Sequence, residues 1–364
     1  MKIHKITSFL ESIAPLALQE SYDNSGLIIG NPNDEVSKAL ITLDVTEEII
    51  DEAISKKCQL IISHHPLIFG NISKIRPDNY TGKCIIKAIK NNISIYAIHT
   101  NFDNIDNGVN AALCNKIGLI NCRILKPKKN ILKKLVTFCP TKHADKVRKA
   151  LFDNGTGHIG NYDSCSYNIE GFGTFRALGN TNPFVGEAFK LHKENEIRIE
   201  TIFPAYLERN ILKALFASHP YEEVAYDIYP LENSFNKAGE GMIGELEKSM
   251  TSNDFFKKIK SDLKIPVIRH NNKLNKKIKK VAVCGGSGSF LVKDAIFAGA
   301  DAFLTSDIKY HNFFDGDNSL IIADIGHYES EQFMKEILYE QLNKKFPTFA
   351  VLISKLNTNP VKYY

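Results

Sequence analysis

The chain has 364 residues, of which 43% are hydrophobic and 24% carry a charge, so it can form two or three domains that each bury a core. Its 46 lysines and arginines barely exceed its 41 aspartates and glutamates, and without a recognised motif this excess argues against a nucleic-acid partner. The seven cysteines form no Cys-x-x-Cys pair, which argues against a disulfide framework or thiolate zinc site and favours the cytoplasm. We expect no signal peptide and no membrane span, since no run of about 18 apolar residues occurs.

Strand and helix patterns alternate over the first 125 residues. Apolar runs predict strands at 39–43, 59–63 and 93–98. Helices are predicted at 46–57, 82–90 and 108–117. This βαβ rhythm is typical of the α/β fold class, with a largely parallel sheet and helices on its faces.

The C-terminal third repeats this rhythm at an offset of 242 residues. Residues 60–65 align with residues 302–307 without gaps, and residues 320–323 lead to His327 much as residues 95–98 lead to His99. Identities are few, and any two βαβ units share part of this pattern. An internal duplication and a general likeness of two βαβ regions are therefore equal alternatives.

Different material lies between these regions. A lysine-rich linker is predicted at 126–130, and a second basic run spans 273–280. Strands are predicted at 132–138, 155–160, 171–175, 196–203 and 224–229, and helices at 143–153 and 206–218. This order predicts an inserted ferredoxin-like α+β domain at 128–233. The core is then discontinuous, with one part at 1–127 and the other at 234–364.

Imidazoles and carboxylates follow several predicted strand ends. His64 and His65 can diverge where their strand turns, and Asp103 lies beyond the strand at 93–98. His327 and Glu331 are spaced i and i+4, so they share one helical face. Open α/β sheets place their sites at such strand ends. The residue types predict a site for two divalent ions, with zinc, manganese, iron, cobalt and nickel equally acceptable.

Further polar residues near these strand ends have two interpretations each. We expect His99 to orient a ligand or to lie in the core rather than to bind metal. Asp307 and His311 are candidate general acids or bases, although Asp307 can equally cap a turn. Asp23 and Asn24 are candidates for positioning substrate, or for ordinary turn chemistry. The glycine-rich run at 284–289 can cradle a phosphate or simply permit a tight turn.

Five segments of the chain resemble one known family. They are YDNSGL at 22–27, SHHPLIF at 63–69, HTNFD at 99–103, TSDIKYH at 305–311 and GHYESE at 326–331. With them the chain resembles the GTP cyclohydrolase 1 type 2 homolog family, also called Nif-three-like proteins. The resemblance implies that the matching residues hold a dinuclear metal centre; they are His64, His65, Asp103, His327 and Glu331. Many relatives have tryptophan where this chain has Tyr22, which bears on substrate shape.

The resemblance also carries expectations about architecture. It implies two similar α/β lobes with the metals between them, and a homohexameric ring. Longer members carry a middle domain similar to the trimeric PII and CutA proteins, and SHPYEEVAY at 218–226 resembles part of it. The cyclohydrolase activity in the family name is a proposal and not an established role of every member.

Two functions from different classes follow. The first is a metal-dependent hydrolase that acts on a nucleotide-like or other small molecule, with the substrate class taken from the resemblance alone. The second is a non-catalytic metal-handling or regulatory assembly protein, whose inserted PII/CutA-like domain senses a small effector. DNA binding through the two basic runs is a weaker third interpretation.

Overall fold

The computed structural model describes residues 1–271 and 277–364, so Lys273 and Lys276 of the second basic run lie outside the described residues. The chain divides into two compact units. Unit one comprises Met1–Pro127 and Lys237–Tyr364, and unit two comprises Lys128–Asn236. No helix within the described ranges is both long and apolar enough to cross a bilayer.

The first segment of unit one alternates short buried strands with helices. Its strands are β1 Gly26–Ile29, β2 Lys38–Thr42, β3 Leu60–Ser63, β4 Ser94–Ala97 and β5 Leu119–Lys128. Its helices are α1 Ile3–Ile13, α2 Glu47–Ser55, α3 Tyr80–Lys90, α4 Thr100–Asp103 and α5 Val109–Lys116. Helix α2 begins after Thr46 and helix α3 after Asn79, because each of these side chains accepts a hydrogen bond from a free backbone N–H of the first turn.

The linker predicted at 126–130 is wrong in part, because strand β5 continues through Lys128. Strand β5 lies at the edge of its sheet. An edge strand tolerates Pro127 and several lysines, since one row of its backbone groups has no ladder partner to satisfy. The same residues that indicated a linker are therefore compatible with an edge strand.

Unit two has its own sheet and core. Its elements are β6 Leu132–Pro140, α6 Ala144–Asp153, β7 Tyr167–Arg176, β8 Leu191–Pro204, α7 Glu208–Ser218 and β9 Tyr226–Pro230. The sheet order is β7-β8-β6-β9, and neighbouring strands are antiparallel. Buried side chains such as Leu135, Leu151, Ile199 and Leu215 form one cluster. This β-α-β-β-α-β sequence of elements is the one expected of a ferredoxin-like domain.

The strand predicted at 155–160 is wrong. Gly155 and Gly157 have φ values of +96° and +77°, and only an isolated bridge between Ile159 and Tyr162 forms in this part of unit two. Positive φ breaks the extended conformation that a strand requires, and glycine adopts it without a steric penalty. The glycines therefore mark a turn.

The last segment returns to unit one. Its strands are β10 Phe235–Met250, β11 Arg269–His270, β12 Ile278–Ser287, β13 Ala302–Ser306, β14 Ile321–Asp324 and β15 Ala350–Ile353. Its helices are α8 Ser252–Leu263, α9 Val292–Phe297, α10 His327–Glu331 and α11 Met334–Lys345. Strands β13 and β14 are buried along their whole length, as expected for parallel strands covered on both faces.

Two mixed sheets organise unit one. Their strand orders are β1-β4-β3-β2-β15 and β11-β14-β13-β12-β10-β5. One contains four neighbouring parallel strands, β4-β3-β2-β15, and the other contains three, β12-β13-β14. The α/β class is therefore confirmed. Each sheet also takes a strand from the other segment, because β15 pairs with β2 and β5 lies beside β10. A duplication at offset 242 remains a prediction.

Candidate metal centre

The predicted ligands follow the carboxyl ends of parallel strands in both sheets. His64 and His65 come directly after β3, and their backbone N–H groups donate to Leu43 O at 3.1 and 3.0 Å. Asp103 is the last residue of α4, beyond β4. Gly326 has a φ of +89° between β14 and α10, which allows the sharp turn that presents His327 and Glu331.

These side chains converge on Glu331, which is almost completely buried. Its Oε2 lies 3.0 Å from His65 Nε2, 3.2 Å from His327 Nε2 and 3.9 Å from His64 Nε2. Asp103 Oδ1 lies 3.5 Å from His64 Nε2. The structure therefore brings all five predicted ligands together, from parts of the chain more than 200 residues apart.

The far nitrogen of each imidazole is held by an acceptor. Nδ1 lies 2.8 Å from Ile98 O in His64, 2.7 Å from Asp44 Oδ1 in His65 and 2.6 Å from Asp307 Oδ2 in His327. Because carbonyls and carboxylates only accept, each Nδ1 carries a proton and donates it. In the neutral imidazole the lone pair is then on Nε2, which faces the cluster in all three rings. This is the orientation of metal-binding histidines.

Three buried polar atoms at the centre make no hydrogen bond with any described part of the chain: His64 Nε2, Asp103 Oδ1 and Glu331 Oε2. Glu331 Oε2 is close to two imidazoles, yet these contacts do not have hydrogen-bond geometry. Buried polar atoms of this kind are rare and costly unless something satisfies them. A divalent cation would satisfy all three, and borderline metals accept such nitrogen and oxygen donors.

Comparison with known proteins agrees with this arrangement. The family model of Duf34/NIF3 (NGG1p interacting factor 3) matches residues 1–360. The chain belongs to the Duf34/NIF3 family. A protein of Halalkalibacterium halodurans named GTP cyclohydrolase 1 type 2 homolog is 40% identical over 365 residues, covering 98% of each chain. The predicted resemblance is thus confirmed.

Solved structures of Duf34/NIF3 relatives share the whole fold. A Bacillus cereus protein related to NIF3 has a TM-score of 0.88 and 42% identity, with coverage of 100% of this chain and 99% of that one. A Staphylococcus aureus protein has a TM-score of 0.79 and 33% identity, with the same coverage. The fold of this chain is therefore that of the Duf34/NIF3 family over its full length.

Burial and neighbouring charges shift the pKa values of four residues in the cluster of this Duf34/NIF3 protein. Burial lowers the pKa of His65, but Asp44 and Glu331 outweigh burial and raise it to about 9. The same balance with Asp307 and Glu331 raises the pKa of His327 to about 11. Burial and the neighbouring Glu331 raise the pKa of Asp103 to about 8. Burial also opposes the charge of Glu331, yet the imidazoles hold its pKa well below the usual range.

The glycine-rich run at 284–289 lets the backbone pass close to Glu331, and it does not form a phosphate cradle. The backbone N–H groups of Gly285, Gly286 and Gly288 already donate to Asn110 Oδ1, Ser330 Oγ and Thr305 Oγ1. Gly286 has a φ of +64°, and a Cβ there would lie 2.3 Å from the Oε1 atom of Glu331. Glycine at this position therefore leaves room for the central carboxylate.

His99 lies closer to the cluster than a core histidine would. Its ring centroid lies 5.1 Å from that of His64 and 5.4 Å from that of His65. Its Nδ1 lies 2.7 Å from Asp23 Oδ1. Burial raises the pKa of Asp23, but contacts with His99 and Thr100 outweigh it and lower that pKa. Asp23 thus orients His99, and Asn24 donates from Nδ2 to Ile68 O.

The other two candidate residues lie farther from the centre. Asp307 contacts the Nδ1 side of His327, away from Glu331. His311 packs against Tyr310 and Phe314, with centroid distances of 5.2 and 6.4 Å. Neither is among the described residues that line the cavity over the cluster. A catalytic role for Asp307 or His311 therefore stays a prediction.

Sequence reasoning missed Asp44, which orients His65. A signal was present, because Asp44 lies two positions after the end of strand β2, as His65 does after strand β3. A carboxylate in that position is ambiguous by itself, since acidic residues are also common in turns.

A cavity of about 470 Å³ opens over the cluster. Four aromatic residues along it are more than half exposed: Tyr22 at 69%, Phe69 at 53%, Tyr80 at 52% and Phe290 at 54%. Among residues 1–271 and 277–364, neither a lysine nor an arginine lines this cavity. A volume of this size is ordinary for a small-molecule site.

Proposed function

We propose that this protein binds two divalent metal ions per chain and hydrolyses a small, nucleotide-like molecule. The ions would be held by His64, His65, Asp103, His327 and Glu331. The observation that carries the proposal is the common orientation of three imidazoles, each with Nδ1 bound to an acceptor and Nε2 directed at one buried carboxylate. Glu331 Oε2 approaches all three Nε2 atoms, so this carboxylate would be the central oxygen donor of the site.

Bound divalent ions supply Lewis acidity and lower the pKa of water. The chain supplies orientation through Asp44 and Asp307, which fix the rings of His65 and His327. His99 lines the cavity and is itself held by Asp23, so it is placed to move a proton between the reacting molecule and solvent. Two ions and one positioned imidazole are sufficient for hydrolysis of an ester, amide or ring bond.

The cavity wall supports a substrate with a planar ring. Tyr22, Phe69 and Phe290 present exposed rings on which a flat heterocycle can stack. The wall contains no lysine or arginine within the described ranges, so the charge of any phosphate would have to be met by the ions. A nucleoside or a pterin-like ring fits these conditions better than a triphosphate group does.

Metal handling or regulation without catalysis is the alternative. Unit two favours it, because this compact unit has its own core and supplies none of the five proposed ligands. A likeness of unit two to PII and CutA proteins, a homohexameric assembly and a cytoplasmic location stay predictions. Turnover distinguishes the two functions.

The first test is the metal content of the native protein. Elemental analysis of protein purified without chelators is expected to find about two divalent ions per chain. The loaded protein should then release product from nucleosides, nucleotides or phosphoesters, and chelation should stop the release. Two ions without turnover of any substrate would favour the metal-handling alternative. A protein that takes up no ion from zinc, manganese, iron, cobalt or nickel would refute the proposal.

Metal affinity is expected to rise with pH. His65, His327 and Asp103 keep protons up to about pH 9, 11 and 8 in the metal-free protein, and ligand atoms must lose these protons to bind. Metal uptake at pH 7 therefore releases protons, and the apparent affinity increases from pH 6 towards pH 9. Titration calorimetry in buffers of different ionisation enthalpy measures the release. A pH-independent affinity would contradict the assignment of these ligands.

A further inference from the structure

Residues 354–364, called here the closing segment, follow β15 without forming a helix or strand. Three side chains attach this segment to unit one. Ser354 donates to Glu52 Oε2 at 2.5 Å, Thr358 donates to Asp44 Oδ2 at 2.5 Å, and Asn359 donates to Glu329 Oε1 at 2.9 Å. Thr358 and Asn359 are half-buried, whereas Leu356 and Asn357 before them are exposed. The closing segment is therefore held by Ser354, Thr358 and Asn359 and not along its whole length.

Two of these contacts reach the supports of the metal cluster. Asp44 is the carboxylate whose Oδ1 holds His65 Nδ1 at 2.7 Å. Glu329 lies on helix α10 between His327 and Glu331. Thr358 thus contacts the carboxylate that orients His65, and Asn359 contacts the helix that carries His327 and Glu331.

The support of His65 differs from the other two carboxylate supports. Asp23 orients His99, and its second oxygen does not depend on a single donor, since it accepts from both Thr100 N and Ser25 Oγ. The side chain of Asp307 is 52% exposed. Asp44 is mostly buried, and its second oxygen is bound by a residue 314 positions away. A free carboxylate can rotate about its Cβ–Cγ bond, and the Thr358 hydroxyl prevents this rotation.

We propose that the closing segment is part of the metal centre, with Thr358 as a positioning residue that fixes Asp44 and, through it, the ring of His65. This inference rests on the proposed metal site. Loss of the Thr358 hydroxyl leaves a buried carboxylate oxygen without its donor, so Asp44 and His65 gain alternative orientations. Partners that orient a liganding imidazole contribute about 10–100-fold in metal affinity. Because Thr358 acts one step farther out, we expect the lower end of that range.

The test compares full-length protein with its Thr358→Val and Thr358→Ser variants. Valine keeps the shape of threonine and removes the hydroxyl, whereas serine keeps the hydroxyl. Thr181→Val is the matched control, because Thr181 is an exposed threonine of unit two that donates to Leu178 O. Cobalt(II) is the probe, with affinity measured by competition against a chelator and ligand geometry followed by visible absorption.

We expect Thr358→Val to bind one of two Co²⁺ ions about 10-fold more weakly, with a changed absorption spectrum. Thr358→Ser and Thr181→Val should match the unmodified protein. If the unmodified protein binds two ions and Thr358→Val binds both with the same affinity and spectrum, the positioning role is overturned while the proposed function stands. If the unmodified protein binds neither Co²⁺ nor any of zinc, manganese, iron and nickel, both are overturned.

Discussion

Glu331→Gln is expected to remove nearly all bound divalent metal and all turnover. Glu331 Oε2 lies 3.0, 3.2 and 3.9 Å from the Nε2 atoms of His65, His327 and His64, so all three rings face this oxygen. Glutamine keeps the size of the side chain but loses its charge, so the proposed metal site loses its central anionic ligand. Elemental analysis and activity of the variant measure the effect, and its circular dichroism should match that of the unmodified protein.

Glu340→Gln is the matched control, since Glu340 is an exposed glutamate of helix α11. This control should bind about two ions, as the unmodified protein is expected to do. A Glu331→Gln protein that retains both ions would show that Glu331 is not needed to bind them. Turnover that persists in metal-free Glu331→Gln would instead separate the activity from the metals.

Gly286→Ala is expected to be the most damaging single-methyl substitution at the site. The added Cβ would lie 2.3 Å from Glu331 Oε1, and an alanine at a φ of +64° is strained wherever it is placed. Backbone strain of this kind costs about 1–3 kcal/mol, and the displaced carboxylate no longer meets the imidazoles. Urea unfolding should therefore show lower stability, and metal content should fall as well.

Gly171→Ala provides the comparison for this substitution. A Cβ at Gly171, in strand β7, would meet no atom within 4 Å. Its free energy of unfolding should change little or rise, since alanine loses less conformational freedom on folding than glycine does. If Gly286→Ala had the same metal content and stability as Gly171→Ala, the explanation that Gly286 leaves room for the Glu331 carboxylate would be refuted.

Local sequence patterns predicted the strands that carry the ligands. The apolar runs at 59–63 and 93–98 correspond to β3 and β4, because strands buried on both faces are continuously apolar and are ended by polar residues. The i and i+4 spacing of His327 and Glu331 likewise predicted a shared helical face, and both lie in α10. These features depend only on neighbours in the sequence.

Features that depend on distant partners were not predictable. Strand β5 is recognisable only from its place beside β10, since its proline and lysines indicate a linker when they are read alone. Asp44 and Thr358 form one hydrogen bond across 314 positions, and no local pattern predicts that these two residues meet. The glycine-rich run allowed two interpretations until the partners of its N–H groups were known.

The exchange of edge strands between the two sheets has a consequence for biosynthesis. Strand β15 completes the sheet that carries His64 and His65, and helix α10 emerges only shortly before it. A nascent chain whose C-terminal portion is still within the ribosome lacks both His327 and Glu331, so it cannot hold the ions as the finished protein would. The ligand set of the proposed metal site is therefore complete only once residues 327–331 have left the ribosome.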